Sequence, residues 1–328
     1  MNDKTQTRRM AVPFLLFAAL MTALLLPLRL WQQMRLVEQK TGFWSGSDIT
    51  VPLLYIGLGL LAAIPAIAAL AARKRAVLDL TRRRHIVEGV TAALAAAALA
   101  WDAFIALRFA VRLFSGGSTG DAFLDGLELQ TSSATQYYIR SGAMACVLES
   151  LFGVLGALFF GNLAALDFLP GKKIYLGRAM ALAPFGWAVC RVLRRFSRTI
   201  AYLRVSDLFL GLLMLVALLL FLLAFAQLVG GIHGANKTPV LFAAGLPAAV
   251  LALLCFVPRF VVYTVQGFAA PQDAAIEWCD PALALFILAF VAGRLRLARK
   301  AKISPSATEE ADPDDEQELC IECEDEPQ

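Results

Sequence analysis

Long apolar runs recur along the chain and are separated by short charged segments. Two of them contain an embedded acid, Asp102 within 86–107 and Glu149 within 143–166, and another, about 277–291, begins with acids and precedes a basic segment. Four more carry no charge, and each is near or above the roughly 20 residues that cross the hydrocarbon core of a bilayer. These four runs cover residues 10–28, 50–72, 208–236 and 238–257. The pattern predicts an all-α, polytopic bundle of transmembrane helices.

The segment 175–195 leaves the number of crossings open. Its uncharged core, 179–190, has 12 residues, a length more typical of interfacial or re-entrant segments. The arginines that follow, Arg191 and Arg194 among them, also suit a helix lying on the cytoplasmic surface. We therefore expect eight transmembrane helices, with seven as the alternative. Eight brings all five tryptophans to or near the outer interface, where such rings anchor a bundle, and keeps the cysteines of the tail in the reducing cytoplasm.

The distribution of Lys and Arg predicts the orientation of the bundle. Cytoplasmic loops of membrane proteins carry an excess of positive charge, and six basic residues lie between Arg73 and Arg84, after the second apolar run. With a cytoplasmic N-terminus, the eight-helix count places eighteen positive charges inside and twelve outside, and the seven-helix count gives the same division. The N-terminus is predicted to be cytoplasmic under either count.

Short sequence matches suggest how the helices are arranged. Arg35 precedes Asp48 by the same interval at which Arg194 precedes Asp207, and a long apolar run follows each, as expected of two parallel units of four helices. The Ala-rich stretch 91–100 and the small residues of Gly59-x-x-x-Ala63 indicate close helix packing.

Composition agrees with this pattern and excludes other classes of protein. Of 328 residues, 59% are hydrophobic and 17% are charged, and the mean hydropathy is +0.66. Soluble chains average about 45–50% apolar and about 25% charged, so a water-soluble enzyme or nucleic-acid-binding protein is excluded for the chain as a whole. A disordered chain is excluded as well, because disorder requires low hydrophobicity.

The net charge of +4 conceals two regions of opposite sign. Residues 304–328 contain eleven acids and no Lys or Arg, and their Pro, Asp and Glu content predicts a disordered cytoplasmic tail. Residues 1–303, the transmembrane domain, carry thirty basic and fifteen acidic residues. Such an excess is expected of loops that face anionic lipid, so we predict the bilayer as a partner and no nucleic acid.

Acids inside apolar runs are the first candidates for function, because an intramembrane charge costs at least about 2.5–3.5 kcal/mol. Asp102 and Glu149 lie at similar depth if their helices are adjacent and antiparallel. With Arg108 and Arg191 they form a candidate polar cluster in the outer half, able to bind a cation or share a proton. The alternative is structural, with the acids paired to Arg108, Arg112 or Arg191 or hydrogen-bonded inside the bundle. Glu88, near the inner interface, is expected to be solvated.

Other chemistry is poorly supported by the sequence. The nucleophile-elbow, zinc-protease and nucleotide-binding motifs are absent. Cys320 and Cys323 have the spacing of half a zinc site, but a structural site needs four ligands and the soluble part holds no second pair. A site shared in a dimer, a redox pair and two unreacted thiols remain the alternatives. We predict no catalytic residue, no metal centre and no cofactor.

Two segments of the second half resemble stretches of uncharacterised multi-pass bacterial membrane proteins. They are Pro184-Phe-Gly-Trp187 with Arg191, and Ser206-Asp207 at the start of a Leu/Phe-rich run. The resemblance implies an eight-helix protein of the bacterial plasma membrane and brings no activity with it. Two functions remain: binding or transport of a small solute or ion, or a non-catalytic sensor, scaffold or subunit that binds a protein partner through its acidic tail. A membrane-embedded enzyme ranks third.

Overall fold

The computed structural model describes residues 11–37, 48–72, 76–78, 86–115, 133–168, 179–197, 205–230, 237–265 and 277–297. Within them the chain forms nine α-helices, one 3₁₀ turn and two three-residue strands. The helices are α1 (Ala11–Arg35), α2 (Thr50–Ala72), α3 (Ile86–Phe114), α4 (Ala134–Arg140), α5 (Ala143–Phe168), α6 (Ala183–Ser197), α7 (Val205–Val229), α8 (Lys237–Val265) and α9 (Cys279–Arg294). The 3₁₀ turn (Met180–Leu182) precedes α6, and the strands are β1 (Ala76–Leu78) and β2 (Leu295–Leu297).

Six helices of the described chain are long and apolar enough to cross a membrane: α1, α2, α3, α5, α7 and α8. The chain is therefore a multi-pass helical membrane protein, as predicted. α6 and α9 are shorter, with 15 and 16 residues, yet both pack within the bundle. The strands form a small antiparallel ribbon that pairs Ala76 with Leu297 and joins the segment after α2 to the end of α9.

Helix α8 lies at the centre of the bundle and packs against α1, α2, α7 and α9. Around it, the core is rich in phenylalanine, and the ring of Phe225 makes edge-to-face contacts with Phe159, Phe286 and Phe290. By contrast, large apolar side chains of α1 point outward at every fourth residue, at Leu16, Leu20 and Leu24. An outward apolar face of this kind suits contact with lipid, whose tails are as apolar as leucine.

Helices α3 and α5 share the most extensive contact of any described pair, and small residues line it. Ala92 and Ala95 of the Ala-rich stretch are fully buried, and a Cβ placed on Gly153 would lie 2.9 Å from the Cβ of Ala103. The predicted role of this stretch is confirmed. The prediction for Gly59-x-x-x-Ala63 is wrong, because both residues are exposed and no atom lies within 4 Å of a Cβ on Gly59.

Several helices extend beyond the charged residues at which the apolar runs end. α1 continues past Arg29 to Arg35, α3 past Arg108 to Phe114, and α8 past Arg259 to Val265. The Arg29 side chain is buried, and Arg108 is exposed on the surface of its helix. An arginine does not end a helix if its guanidinium has a partner or extends toward a polar region, so uncharged runs underestimate helix length.

Helix α6 runs antiparallel to the first half of α5. A Cβ on Gly156 would lie 3.6 Å from Pro184, one on Gly153 would lie 3.4 Å from Trp187, and the side chains of Glu149 and Arg194 are paired. One face of α6 is buried between its neighbours, and whether the helix crosses the membrane stays a prediction. Pro184 lies in the first turn of α6, where a missing N–H breaks no helical hydrogen bond.

Some predictions fall outside the described residues. The acidic tail with Cys320 and Cys323 lies there. The four-plus-four repeat stays a prediction.

Candidate functional site

Charged side chains from four elements meet at the end of the bundle that includes the last turns of α6 and the first turn of α9. α3 and α5 contribute one acid each, α6 contributes an aromatic ring and three arginines, and the start of α9 contributes two acids. We call this group the α6 cluster; it consists of Asp102, Glu149, Trp187, Arg191, Arg194, Arg195, Glu277 and Asp280.

Arg191 is the most buried member, with 0% of its side chain exposed. Its Nη2 contacts the carboxylate of Glu277 and lies 3.1 Å from Oδ1 of Asp280, and its Cζ lies 5.0 Å from the centroid of the Trp187 ring. Nε and Nη1 have no hydrogen-bond partner in the described part of the chain. Buried polar atoms are nearly always hydrogen-bonded. These two donor nitrogens of Arg191 are therefore open to a group that the described part of the chain does not supply.

Glu149 is also completely buried and forms the second ion pair of the cluster. Its Oε2 lies 3.0 Å from Nε of Arg194, whose side chain is 22% exposed. Oε1 of Glu149 has no hydrogen-bond partner among the described residues. The cluster therefore contains a carboxylate oxygen that no hydrogen-bond donor satisfies, as well as the open donors of Arg191.

Glu277 joins the arginines of α6 to one another. It contacts Arg191, its Oε2 lies 2.7 Å from Nη2 of Arg195, and its Oε1 lies 4.0 Å from Nη2 of Arg194. This spacing arises because residues three and four positions apart share one face of a helix. Three arginines of one helix thus converge on a single acid just before α9.

Asp102 accepts a hydrogen bond from Nε1 of Trp187 at 2.9 Å. Trp187 is fully buried, so the prediction that it anchors the bundle at an interface is wrong. Its indole N–H is satisfied by an acid inside the bundle instead of by the interface. Asp102 is partly exposed and interacts electrostatically with Glu149 and Arg191.

The charges of the α6 cluster nearly balance. Four carboxylates face three guanidinium groups within it, and Arg259 of α8 also interacts electrostatically with Glu277 and Asp280. With Arg259 included, the signs balance when every group is ionised. The arrangement has a buried floor of Glu149, Arg191 and Asp280 and a partly exposed rim that includes Asp102 and Arg194.

The structure brings together three of the four predicted cluster residues: Asp102, Glu149 and Arg191. Arg108 lies on the exposed surface of α3 and takes part in none of these contacts. These contacts agree with the structural alternative in kind: Asp102 accepts a hydrogen bond inside the bundle, from Trp187, and Glu149 forms an ion pair, but with Arg194, an arginine that the sequence had not indicated. The spacing of Arg191, Arg194 and Arg195, one helical turn, was the signal that could have identified this face.

A second, smaller group of charges lies at the other end of α3, α5 and α9. We call it the Arg294 cluster; it consists of Glu88 of α3, Asp167 of α5 and Arg294 of α9. Glu88 was expected to be solvated but is only 2% exposed, because Arg294 lies beside it. In the described residues, no group of three or more His, Cys, Asp and Glu is placed to hold a metal ion.

Comparison with known proteins returns nothing: no family model, curated protein or solved structure matches the chain. The conclusion that the structure supports directly is that the chain is a multi-pass helical membrane protein with a charge cluster buried at each end of α3, α5 and α9.

Proposed function

We propose that the α6 cluster binds a small solute that carries both a negative and a positive group, and that the protein moves this solute across the membrane. The observation that carries the proposal is Arg191, a fully buried guanidinium with two open donors. Intramembrane ionisable residues commonly mark substrate pathways. The solute's anionic group would meet Nε and Nη1 of Arg191.

The requirement for a second, positive group follows from Glu149. Its open Oε1 is a buried acceptor, and leaving such a group unsatisfied costs about 1–3 kcal/mol or more. A simple anion would satisfy Arg191 and leave Glu149 open, and a simple cation would do the reverse. A zwitterion satisfies both residues and leaves the charge balance of the cluster unchanged.

Binding is tested with the purified full chain in lipid nanodiscs by thermal unfolding. Free amino acids serve as zwitterionic probes, and acetate and methylammonium serve as the two halves of the simplest of them. A ligand at 100 times its Kd stabilises the folded state by about 2.7 kcal/mol. We expect stabilisation by at least one zwitterion and none by either half, singly or mixed.

Variants assign that binding to the cluster. Arg191→Gln and Glu149→Gln are each expected to abolish the stabilisation, while Arg108→Gln, on the exposed surface of α3, leaves it unchanged. Uptake of the same radiolabelled solute into proteoliposomes then tests transport. Stabilisation that persists in Arg191→Gln would refute the site.

We also infer that α6 and α9 complete the crossing, giving eight transmembrane helices with both termini in the cytoplasm of a bacterial cell. The antiparallel packing of α6 on α5 supports this count, and the excess of positive charge predicted for the cytoplasmic side supports the position of the N-terminus. The short length of both helices is compatible with it, because each ends in charged residues inside the bundle.

Reporter fusions test the topology. A reporter that is active only in the cytoplasm is fused after Gln328 and, separately, inserted between α7 and α8. Eight helices predict activity at both positions, and seven helices, with α6 on the surface, predict activity at neither.

The acidic tail supports a second candidate function. Its eleven acids make it an interaction element for a protein with a basic surface. If the chain is a scaffold, deletion of 304–328 abolishes recovery of such a partner in a pull-down. If it is a solute-binding protein, the deletion leaves the thermal stabilisation by zwitterions unchanged.

A further inference from the structure

We propose that the Arg294 cluster is a binding site for one exchangeable proton. Nε of Arg294 lies 2.8 Å from Oε2 of Glu88, and its Nη2 lies 3.7 Å from Oδ1 of Asp167. All three residues are more than nine-tenths buried, with exposures of 2%, 8% and 9% for Glu88, Asp167 and Arg294. This site is separate from the α6 cluster and does not depend on solute binding.

The Arg294 cluster has more acidic than basic groups. One guanidinium faces two carboxylates, so one negative charge is unmatched when all three groups are ionised. Oε1 of Glu88 and Oδ2 of Asp167 also have no hydrogen-bond partner in the described part of the chain. A buried, uncompensated charge is strongly destabilising, so the site requires one additional positive charge.

The neighbouring elements supply no such charge among the described side chains. Asp167 interacts electrostatically with Glu88 and Arg294. The other cations whose side chains the structure describes lie elsewhere: those of α6 belong to the α6 cluster, Arg259 of α8 interacts with its acids, and those of α1 lie near its connection to α2. That connection is at the opposite end of α2 from the ribbon that follows Arg294. Exposed cations of α3 and α4 lie toward the segment that joins α3 to α5; they are Arg108, Arg112 and Arg140.

A proton fits the site better than a metal ion does. Mg²⁺ requires near-octahedral coordination and Ca²⁺ takes six to eight oxygen ligands, whereas two carboxylate oxygens are open here. No further metal-ligating group of the described residues completes the set, and the guanidinium repels a divalent cation. One proton needs a single oxygen, and it neutralises the unmatched charge completely.

Asp167 is the residue that takes the proton. Glu88 is held to Arg294 at 2.8 Å, while Asp167 is 3.7 Å away and has the weaker ion pair. Protonation of Oδ2 converts an acceptor without a donor into a donor. Asp167 is also the second-last residue of α5. Its proton therefore exchanges with water at that end of the bundle and does not pass through the apolar centre.

The proposal is tested by infrared difference spectroscopy of the full chain in nanodiscs as pH is changed. At neutral pH, where exposed carboxyl groups are ionised, the wild type should show the C=O stretch of one protonated carboxyl group, which disappears as pH is raised. Asp167→Asn should abolish this band, whereas Asp48→Asn, which removes a carboxyl group outside both clusters, should leave it intact. A band that survives in Asp167→Asn, or no such band in the folded wild type at any pH, would overturn the proposal.

Variants of the partners keep the test decisive if Asp167→Asn fails to fold. Glu88→Gln leaves one acid with one arginine, so the band should disappear. Arg294→Lys keeps the charge count, so the band should remain, and Arg294→Gln requires a second proton, so its intensity should rise about twofold. An infrared band that is absent while sodium ions stabilise the folded protein would identify a sodium site and refute proton binding.

Discussion

Glu277 is the residue on which the α6 cluster depends. A single carboxylate contacts Arg191 and lies within ion-pair distance of Arg194 and Arg195, although these residues are more than 80 positions earlier in the chain. An acid in this position lets three positive charges of one helix remain together, because each would otherwise repel the other two. The loss of Glu277 therefore affects α6 and α9 together.

We predict that Glu277→Gln destabilises the protein by about 3–5 kcal/mol, because it leaves buried guanidinium charge without its main partner. The measurement is the free energy of unfolding in detergent. Arg108→Gln, which removes a charge from the exposed surface of α3, should change stability by no more than about 0.5 kcal/mol. Equal effects of the two variants would show that the ion pairs of Glu277 contribute nothing to stability.

Trp187 joins two parts of the cluster through different atoms of one side chain. Its Nε1 donates to Asp102, and its ring lies beside the guanidinium of Arg191. We predict that Trp187→Phe, which retains a ring and loses the donor, costs about 1.5–3 kcal/mol, the usual range for a hydrogen bond to a charged group. In the background of Asp102→Leu the same substitution should cost much less, and an unchanged cost in that double-mutant cycle would exclude the hydrogen bond as the cause.

Among the elements, α5 contacts both α3 and α6 at Gly153, where a side chain has no room. A Cβ on Gly153 would lie 2.9 Å from the Cβ of Ala103 and 3.4 Å from the ring of Trp187. Without these contacts, the acids of α3 and α5 would not lie beside the arginines of α6. Close helix packing thus determines the geometry of the candidate site.

We predict that Gly153→Val destabilises the protein by about 1–3 kcal/mol or more, the range for overpacking, and also weakens zwitterion binding. Gly161→Val is the matched control on the same helix, because no atom lies within 4 Å of a Cβ at that position. Thermal unfolding with and without the zwitterionic probe measures both effects. If both variants behave alike, α5 tolerates side chains at its contact with α3.

The helices were largely predictable from the sequence, and the partners of the charged residues were not. Apolar runs indicated every long helix, since length and hydropathy alone decide whether a segment can cross a bilayer. Asp102, Glu149 and Arg191 were predicted because acids and arginines within apolar runs are unusual. Arg194 and Glu277 were missed as partners, and Glu88 was assigned to solvent, because pairing depends on helix rotation and tilt, which the pattern of apolar runs does not contain.

In the molecule as a whole, α3, α5 and α9 each carry a charged residue in both clusters. Glu88 and Asp102 of α3 are separated by about 21 Å at 1.5 Å per residue, and Asp280 and Arg294 of α9 have the same spacing in sequence. The apolar layer between the clusters is therefore thinner than the roughly 30 Å hydrocarbon core of a bilayer. Both clusters are expected to lie at or inside the membrane boundaries.

We predict that α9 is required for stable accumulation of the protein and that the tail is not. Truncation after residue 265 removes Glu277, Asp280 and Arg294, and so leaves both clusters without their α9 members. Truncation after residue 303 removes only the acidic tail and should leave accumulation unchanged. Membrane protein levels after a translation block measure the difference, and equal half-lives of the two truncated chains would contradict the prediction.

The ion pair between Glu88 and Arg294 also has a consequence for synthesis, because its partners are 206 residues apart in the chain. At about 5–20 residues per second, the ribosome takes about 10–40 s to reach the arginine after it has made the glutamate. Throughout that time α3 holds an acid whose cation does not yet exist. The nascent chain must keep Glu88 protonated, hydrated at the membrane surface or shielded by the insertion machinery until its last helix arrives.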